Sequence, residues 1–239
     1  MDTHVDAIEP LTIEVVSDVV CPWCYIGKRR LEAALDLYAQ ARPDAPPPKV
    51  SFHPFQLNPD LPPEGMLRAD YVARKWSGRS SSDVYARVTG VGKSVGIDFE
   101  FDRIVRQPNT KAAHALIALA ADFGIQPAVK EAMMRAYFID GRDLTDIDAL
   151  IEVAAGAGLD AKGARARLAD PDALRAIDGA DQQARRIGVE GVPFFIFNGR
   201  HAVSGAQEAQ TLADAMIASE KPDDRPDDRP EPGASGQPI

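Results

Sequence analysis

The sequence predicts an α/β protein whose one sheet is built from two separate stretches of the chain. A β-branched segment, an amphipathic helix and a second alternating segment form a βαβ unit near the N-terminus. Two apolar runs joined by Asn198-Gly199 and followed by a helix form a ββα unit near the C-terminus. The Ala-rich residues between these units show helical periodicity, so they are predicted to form a large all-helical insertion.

The βαβ unit is predicted in residues 11–58. Residues 11–16 are rich in β-branched side chains, and residues 49–56 alternate between apolar and polar positions, as strands do. The helix between them is expected to begin at the cysteines, because Pro22 is tolerated in a first turn, and to end near Arg42, before a proline-rich run. A crossover of this kind is right-handed, so the two strands should be parallel.

The insertion is predicted over residues 59–188. Candidate helix starts are Thr145, which precedes Asp148 at capping-box spacing, and Pro171-Asp172. Helical periodicity occurs in residues 112–123, 128–138, 145–156 and 172–187.

The ββα unit is predicted in residues 189–219, with two antiparallel strands and a closing helix over residues 207–218. Residues 1–10 are expected to be a flexible N-terminus. Residues 220–239 repeat Pro-Asp-Asp-Arg and contain almost no large apolar side chains, so a disordered tail is expected there. The resulting element order is that of a thioredoxin-like sheet interrupted between its two halves.

The composition favours a soluble globular protein that binds neither nucleic acid nor membrane. A chain of 239 residues with 45% hydrophobic positions can bury one sizeable core, and a net charge of −9 opposes phosphates and anionic lipids. No apolar run approaches the roughly 18 residues of a membrane span. The N-terminal residues are acidic where a secretory signal carries Lys or Arg, so a cytoplasmic location is expected.

Cys21 and Cys24 are the only cysteines, and they enclose Pro22 and Trp23. At the start of a helix, residues three apart lie within the distance that a disulfide spans. The positive end of the helix dipole favours a thiolate at Cys21, whereas Cys24 lies one turn further in. The pattern therefore predicts that Cys21 is a redox nucleophile and Cys24 its resolving thiol. Since Pro22 and Trp23 add no positive charge, a moderate oxidant is expected.

Two other functions of a cysteine pair are disfavoured. Structural zinc requires about four ligands, but the four histidines are scattered, so no metal site is predicted. Covalent haem attachment requires His directly after the second cysteine, where this chain has Tyr25.

The residues alone leave several polar candidates open. Asp18, three residues before Cys21, suits either proton transfer or a local turn. Asn109, like Thr110, suits a helix N-cap, and His114 suits a hydrogen-bonded histidine within a helix. The Val192-Pro193 bond, taken alone, is expected to be trans, because only about 5 to 6% of X-Pro bonds are cis.

Four segments, CPWCYIGKRR, PNTKAAHAL, AYFIDGRDLTD and GVEGVPFFIFNGRHAVSGAQ, resemble the DsbA family, specifically its FrnE-like cytoplasmic branch. This branch is related to 2-hydroxychromene-2-carboxylate isomerases and kappa-class glutathione transferases, and the resemblance spans about residues 11–218. It implies that Pro193 is cis beside the cysteine pair and that the Val192 backbone binds an extended, thiol-bearing substrate. The candidate substrate-binding residues are therefore Val192, Pro22, Trp23, Asp18, Asn109 and His114.

The resemblance implies a thiol-disulfide oxidoreductase that acts on protein or small-molecule disulfides without a bound cofactor. Glutathione or thioredoxin is the expected electron donor. One alternative is a glutathione-dependent isomerase or transferase, although those relatives typically carry Ser at the position of Cys21. Another alternative is a non-catalytic peptide-binding protein with idle thiols. Relatives pair through the insertion in some cases, so the resemblance leaves a homodimer open, and it names neither the substrate nor the direction of the reaction.

Overall fold

A computed structural model describes residues 9–76 and 81–220, with the side chains of residues 81–84 excepted. The strands are Thr12–Ser17 (β1), Lys49–Pro54 (β2), Met66–Leu67 (β3), Arg106–Gln107 (β4), Phe194–Phe197 (β5) and His201–Ser204 (β6). The helices are Pro22–Ala41 (α1), Arg68–Lys75 (α2), Ser81–Ser94 (α3), Lys111–Ala121 (α4), Gln126–Phe138 (α5), Ile147–Gly156 (α6), Ala161–Ala169 (α7), Pro171–Arg186 (α8) and Ala209–Ser219 (α9). None of these helices combines the length and the apolar composition that a membrane crossing requires.

The two predicted units share one four-stranded sheet, in the order β2-β1-β5-β6. Strands β1 and β2 are parallel and are connected through α1, which confirms the predicted βαβ unit. Strand β5 is antiparallel to both β1 and β6. The halves of the sheet therefore meet where β1 pairs with β5, with the whole insertion between them in sequence.

Strand β1 is covered on both faces. Ile13 and Val15 belong to the main core, to which α1 and α9 also contribute. Val16 packs in a second cluster with Phe55 and Val189. Burial on both faces explains why this strand is rich in valine and isoleucine rather than strictly alternating.

Helix α1 begins directly after Cys21, as the sequence predicts. Cys21 has extended backbone angles and occupies the N-cap position, and Pro22 is the first helical residue, where an N–H group is not needed. The helix ends at Ala41, and Arg42 closes it with a hydrogen bond from its N–H group to the Tyr38 carbonyl oxygen, 2.8 Å away.

The insertion is mainly helical, but it contains a short antiparallel ladder between β3 and β4, which the sequence did not predict. The four predicted helices correspond to α4, α5, α6 and α8. Helices α2, α3 and α7 were missed. Helix α2 buries only Tyr71 and α7 buries only Ala164, so neither carries a wide apolar stripe, and α3 contains Gly90 and Gly92, which weaken a helical pattern.

One predicted helix start is displaced by one residue, and the start predicted at Pro171-Asp172 is confirmed. Asp146, rather than Thr145, caps α6 by accepting hydrogen bonds from the N–H groups of Asp148 and Ala149. The Thr145 hydroxyl donates to Asp143 instead, at 2.7 Å. Asp170 caps α8, and Pro171 is its first helical residue. In both helices a carboxylate next to the first turn takes the capping role.

The predicted hairpin is confirmed. Asn198 and Gly199 both have positive φ angles, of 51° and 64°, as the central residues of a type I′ turn do, and the Arg200 N–H group closes the turn by donating to the Phe197 carbonyl oxygen at 3.1 Å. After α9, the Glu220 carboxylate accepts hydrogen bonds from the Tyr38 hydroxyl at 2.6 Å and from Arg42 at 2.9 Å. Glu220 therefore belongs to the folded part, although the sequence analysis placed it in the disordered tail. The rest of the predicted tail, and residues 1–8, lie outside the described residues.

Candidate active site

The Cys21 sulfur lies at the N-terminus of α1. β1 ends at Ser17, and the loop of residues 18–20 leads directly into the N-cap. The first turn of α1 contains no acidic side chain, so nothing there opposes the positive end of the helix dipole. The N–H groups of Trp23 and Cys24 both lower the pKa of the Cys21 thiol by hydrogen bonding. This placement favours a thiolate at Cys21.

The two cysteines are free thiols that interact with each other. A hydrogen bond from the Cys24 thiol is the largest cause that lowers the pKa of Cys21, and it outweighs the opposing effect of burial. Burial, followed by the interaction with Cys21, raises the pKa of Cys24 well above its ordinary value. Cys21 is 5% exposed and Cys24 is 2% exposed. Cys21 is thus the thiol that ionises more readily, and Cys24 is the thiol that keeps its proton.

The Val192-Pro193 unit lies against this pair. Its peptide bond is cis, the isomer that the family resemblance implies. The Cys21 thiol donates to the Val192 carbonyl oxygen, with a sulfur-to-oxygen distance of 3.6 Å. The Pro193 ring packs so closely on Gly27 of α1 that a β-carbon at Gly27 would lie 2.8 Å from the Pro193 Cγ atom. The absence of a side chain at Gly27 therefore allows α1 and Pro193 to touch.

Asp18 is buried beneath the cysteine pair and is more than a local turn residue. Its Oδ1 atom lies 3.3 Å from His114 Nε2 of α4, and its Oδ2 atom accepts a hydrogen bond from the Leu57 N–H at 2.8 Å. Burial alone would raise the pKa of Asp18, but the hydrogen bond with His114 and other contacts hold it below its usual value. Burial lowers the pKa of His114, so an ionised carboxylate faces a neutral imidazole at pH 7.

Lys130 of α5 is the other buried ionisable group of the site. Its Nζ atom is 3.5 Å from the Ser17 carbonyl oxygen, and its side chain is 1% exposed. Burial lowers the pKa of Lys130 to about 8, and the charges of Cys24 and Asp18 oppose that effect. A positive charge from the insertion therefore reaches the base of the cysteine site.

The remaining predicted site residues lie in different places. Pro22 and Trp23 are half-buried in the first turn of α1, and the Arg87 guanidinium carbon of α3 is 5.9 Å from the centre of the Trp23 ring. Asn109 instead holds the loop at residues 59–61, because its amide donates to the Leu61 carbonyl oxygen at 2.7 Å. Its Oδ1 atom accepts from the Lys111 N–H at 3.0 Å. These hydrogen bonds give Asn109 a structural part in the loop, and its contact with substrate stays a prediction.

Three groups of the candidate site were not predicted from the sequence, namely Lys130, Arg87 and the Leu57 N–H group. Lys130 had a detectable signal: it falls on the apolar face of α5, four residues after buried Gln126 and three before buried Met133. A lysine in that position is either a surface group that bends outward or a buried charge with a partner. Arg87 and the Leu57 N–H have no such signal, since a surface arginine and a loop amide are unremarkable in a sequence.

Comparisons with known proteins identify the family to which this fold belongs. A family model described as the DSBA-like thioredoxin domain matches residues 12–217. A probable DsbA oxidoreductase from Streptomyces coelicolor is 32% identical with a TM-score of 0.77, over 87% of this chain and 89% of that chain.

Two more distant structures share the fold. The cytosolic disulfide reductase DsbM from Pseudomonas aeruginosa is 20% identical with a TM-score of 0.56, over 87% of this chain and 95% of that chain. A 2-hydroxychromene-2-carboxylate isomerase is 16% identical with a TM-score of 0.59, over the same shares of the two chains. Because the family match spans most of the sequence and one relative exceeds 30% identity, this chain belongs to the DSBA-like thioredoxin domain family.

Proposed function

We propose that this protein is a thiol-disulfide oxidoreductase in which Cys21 is the nucleophile and Cys24 the resolving thiol. The observation that carries the proposal is the position of Cys21 as the N-cap of α1 with its sulfur 3.6 Å from the Val192 carbonyl oxygen, and the opposite pKa shifts of Cys21 and Cys24 support it. Two buried thiols without a catalytic role would not require opposite pKa shifts. Membership of the family supports the same reaction class.

The reaction proceeds by two thiol-disulfide exchanges. The Cys21 thiolate attacks one sulfur of a substrate disulfide, and the other substrate sulfur leaves as a thiolate and takes a proton from water. Cys24 then attacks the Cys21 sulfur of the mixed disulfide, and its proton goes to the departing substrate sulfur. The Cys21–Cys24 disulfide forms, and two electrons pass from the protein to the substrate. The same steps in reverse oxidise a dithiol.

The Val192-Pro193 unit is the substrate-docking element of this proposal. Main-chain groups beside a reactive sulfur can hold an extended segment without reading its side chains, which suits an enzyme that acts on many disulfides. The Val192 carbonyl oxygen already faces the Cys21 sulfur, so a bound segment next to Val192 would bring its own sulfur within reach. Trp23 and Arg87 lie at the rim, where an aromatic ring and a cation would contact the substrate.

A dithiol partner must return the protein to its starting state, and we propose glutathione or a thioredoxin for this role. A protein with one cysteine pair and no additional disulfide framework suits a reducing compartment, where the pair cycles instead of remaining closed. We therefore propose that the reaction takes place in the cytoplasm. The direction follows from the potential of the pair relative to glutathione, since 30 mV corresponds to about 1.4 kcal/mol.

The test uses the reduced wild-type protein and two single-cysteine variants with oxidised glutathione and with a disulfide-bonded peptide. The wild type is expected to form the Cys21–Cys24 disulfide, Cys24→Ser to stop at a mixed disulfide on Cys21, and Cys21→Ser to be inactive. Mass spectrometry identifies each product. A Cys21→Ser protein that exchanges at the wild-type rate contradicts the proposal. A Cys21→Ser protein that instead catalyses a glutathione-dependent isomerisation supports the alternative reaction.

A further inference from the structure

Lys130 is a buried lysine with very few polar contacts. Its side chain is 1% exposed, and the hydrogen bond that the structure gives its ammonium group is the contact of 3.5 Å with the Ser17 carbonyl oxygen. The Phe52 ring lies on another side, with its centre 5.9 Å from Nζ. Desolvating an ammonium group costs several kcal/mol, so a lysine kept in such a place calls for a reason beyond packing.

The peptide unit between Ser17 and Asp18 connects Lys130 to Cys24. Its carbonyl oxygen, on Ser17, faces the Lys130 ammonium group. On the next residue, the Asp18 backbone lowers the pKa of the Cys24 thiol, and the Asp18 carbonyl oxygen accepts a hydrogen bond from the Cys21 N–H group at 3.3 Å. In a trans peptide the C=O and N–H groups point in opposite directions, so the Lys130 charge acts on the edge of the planar unit opposite to its N–H group. A cation at the oxygen polarises the unit and strengthens the N–H group as a donor.

We propose that Lys130 is a positioning residue that enables Cys24 to resolve the mixed disulfide, by placing a buried positive charge at the Ser17 carbonyl oxygen, where β1 ends and the loop into the two cysteines begins. This inference rests on the proposed oxidoreductase function and assigns the second exchange to a residue of the insertion. Negative charge develops on Cys24 only in that step. Lys130 remains protonated throughout, because the proton of Cys24 leaves with the substrate sulfur, so the step needs no additional oxidant or base.

The other charged groups around Lys130 are already engaged. Asp18 is bound to His114 and to the Leu57 N–H group. Lys28, a second buried lysine, contacts Glu131 at 2.7 Å and also pairs with Glu32. Its charge is therefore balanced by carboxylates. The charge of Cys24 has the largest effect of any group that opposes the lowering of the Lys130 pKa, ahead of Asp18 and Cys21. Lys130 thus acts more on the resolving thiol than on the nucleophile.

Helix α5 holds Lys130 in place through its next residue. Glu131 accepts a hydrogen bond from the Tyr25 hydroxyl at 2.7 Å and forms ion pairs with Lys28 and Arg29. All three partners are on α1, one or two turns after Cys21. The same clamp therefore fixes the insertion to the active-site helix and directs the adjacent lysine toward Ser17.

The experiment follows the reaction of fully reduced protein with dithionitrobenzoate, an aromatic disulfide that releases one coloured thiolate in each exchange. The first release reports attack by Cys21, and the second, first-order release reports attack by Cys24. Replacing Lys130 by Met removes the charge and keeps an unbranched side chain. Each unit by which the pKa of Cys24 rises lowers the fraction of Cys24 present as thiolate about tenfold. The same rise makes the remaining thiolate about threefold more nucleophilic, so the second release slows about threefold.

We expect Lys130→Met to slow the second release by about threefold to tenfold at pH 7, below the Lys130 pKa of about 8, with a smaller change in the first release. Lys162→Met is the control, since this lysine is exposed on α7, away from the cysteines and from the Glu131 clamp, and its replacement removes the same charge and should leave the second release unchanged. Lys130→Gln provides a second variant if Lys130→Met does not fold. Thermal unfolding of both variants shows whether each is folded.

Three results would contradict the account in different ways. An unchanged second release in folded Lys130→Met and Lys130→Gln overturns the role of Lys130 and leaves the proposed function intact. Equal slowing by Lys162→Met also overturns it, because the effect would then come from the net charge of the protein and not from the position of Lys130. A wild-type protein that releases no thionitrobenzoate contradicts the proposed function itself, and with it the assigned role of Cys24.

Discussion

The Cys21 sulfur and the Val192 carbonyl oxygen lie 3.6 Å apart, although 171 positions separate the two residues in the chain. Cys21 follows β1, and Val192 precedes β5. The contact forms because these strands are antiparallel neighbours, with Val16 opposite Phe194. The nucleophile and the proposed docking element therefore come together only when both halves of the sheet have folded.

Gly27→Ala should disturb the site through packing. A β-carbon at Gly27 would lie 2.8 Å from Pro193 Cγ and 3.3 Å from Phe195, closer than side chains pack. We expect a loss of about 1 to 3 kcal/mol in the free energy of unfolding, as for overpacked cores, together with slower exchange at Cys21. Denaturant unfolding and the rate of disulfide exchange measure the two effects.

Gly179→Ala is the control for that substitution. Gly179 lies within α8, and a β-carbon there would meet nothing within 4 Å. Alanine should stabilise the helix by about 0.5 to 1 kcal/mol and leave exchange unchanged. Equal destabilisation by both variants would show that the Gly27–Pro193 contact is unimportant.

Asp18→Asn should make the Cys21 thiol more acidic. The Asp18 carboxylate is negative and raises the pKa of Cys21, so its removal should move the pH of half-maximal Cys21 alkylation downward. The amide oxygen can still accept the Leu57 N–H group, which keeps the fold. Asp214→Asn, on the exposed side of α9, should leave the alkylation profile as it is. An upward shift in Asp18→Asn would refute this electrostatic assignment.

The Asp18–His114 pair should make the protein sensitive to acid. His114 has a lowered pKa in the folded state, so as the pH falls below about 6.5 the unfolded chain binds a proton that the folded chain does not. Asp18 also has a lowered pKa, and its contribution is fully present above about 3.9 and disappears below that value. Both effects reduce stability on acidification.

The thermal unfolding temperature should therefore fall from about pH 6.5 downward, and His114→Gln should flatten the upper part of this decline. The exposed His201, replaced by Gln, serves as the control and should keep the wild-type profile. If His114→Gln retains the full decline between pH 6.5 and 5, the histidine is not its source.

Glu131→Gln should loosen the attachment of α5 to α1. The change removes a carboxylate that faces both Lys28 and Arg29, and it leaves the buried Lys28 with only the more exposed Glu32. We expect a loss of about 1 to 3 kcal/mol, since hydrogen bonds to charged groups contribute in this range. Glu152→Gln removes an exposed partner of Arg142 and should change stability by less than about 1 kcal/mol. A similar loss in both variants would contradict the clamp.

The sheet and its crossovers were predictable because local patterns specify them. Alternation in β2, the valine-rich β1 and the Asn198-Gly199 turn each determine a strand or hairpin over a few residues. The short β3–β4 ladder was not predictable, because two residues carry no periodicity. Helices α2 and α7 bury too little to display an apolar face.

The candidate site was also predictable only in part. The positions of Cys21 and Cys24 follow from the spacing of two residues at one helix start. The buried surroundings of Asp18 do not, because His114 and Lys130 come from two helices of the insertion, far away in sequence. Which helix packs beneath a loop depends on long-range packing, and a single sequence contains no direct record of it.

Whether Cys21 is the nucleophile and Cys24 the protonated resolving thiol is tested most directly by the alkylation rate of each cysteine in the reduced wild-type protein as a function of pH. Mass spectrometry of digested samples separates the two sites. We expect Cys21 to react with a midpoint below the ordinary thiol pKa of about 8.5 and Cys24 to stay unreactive well above that pH. Equal midpoints for the two thiols, or earlier reaction of Cys24, would contradict it.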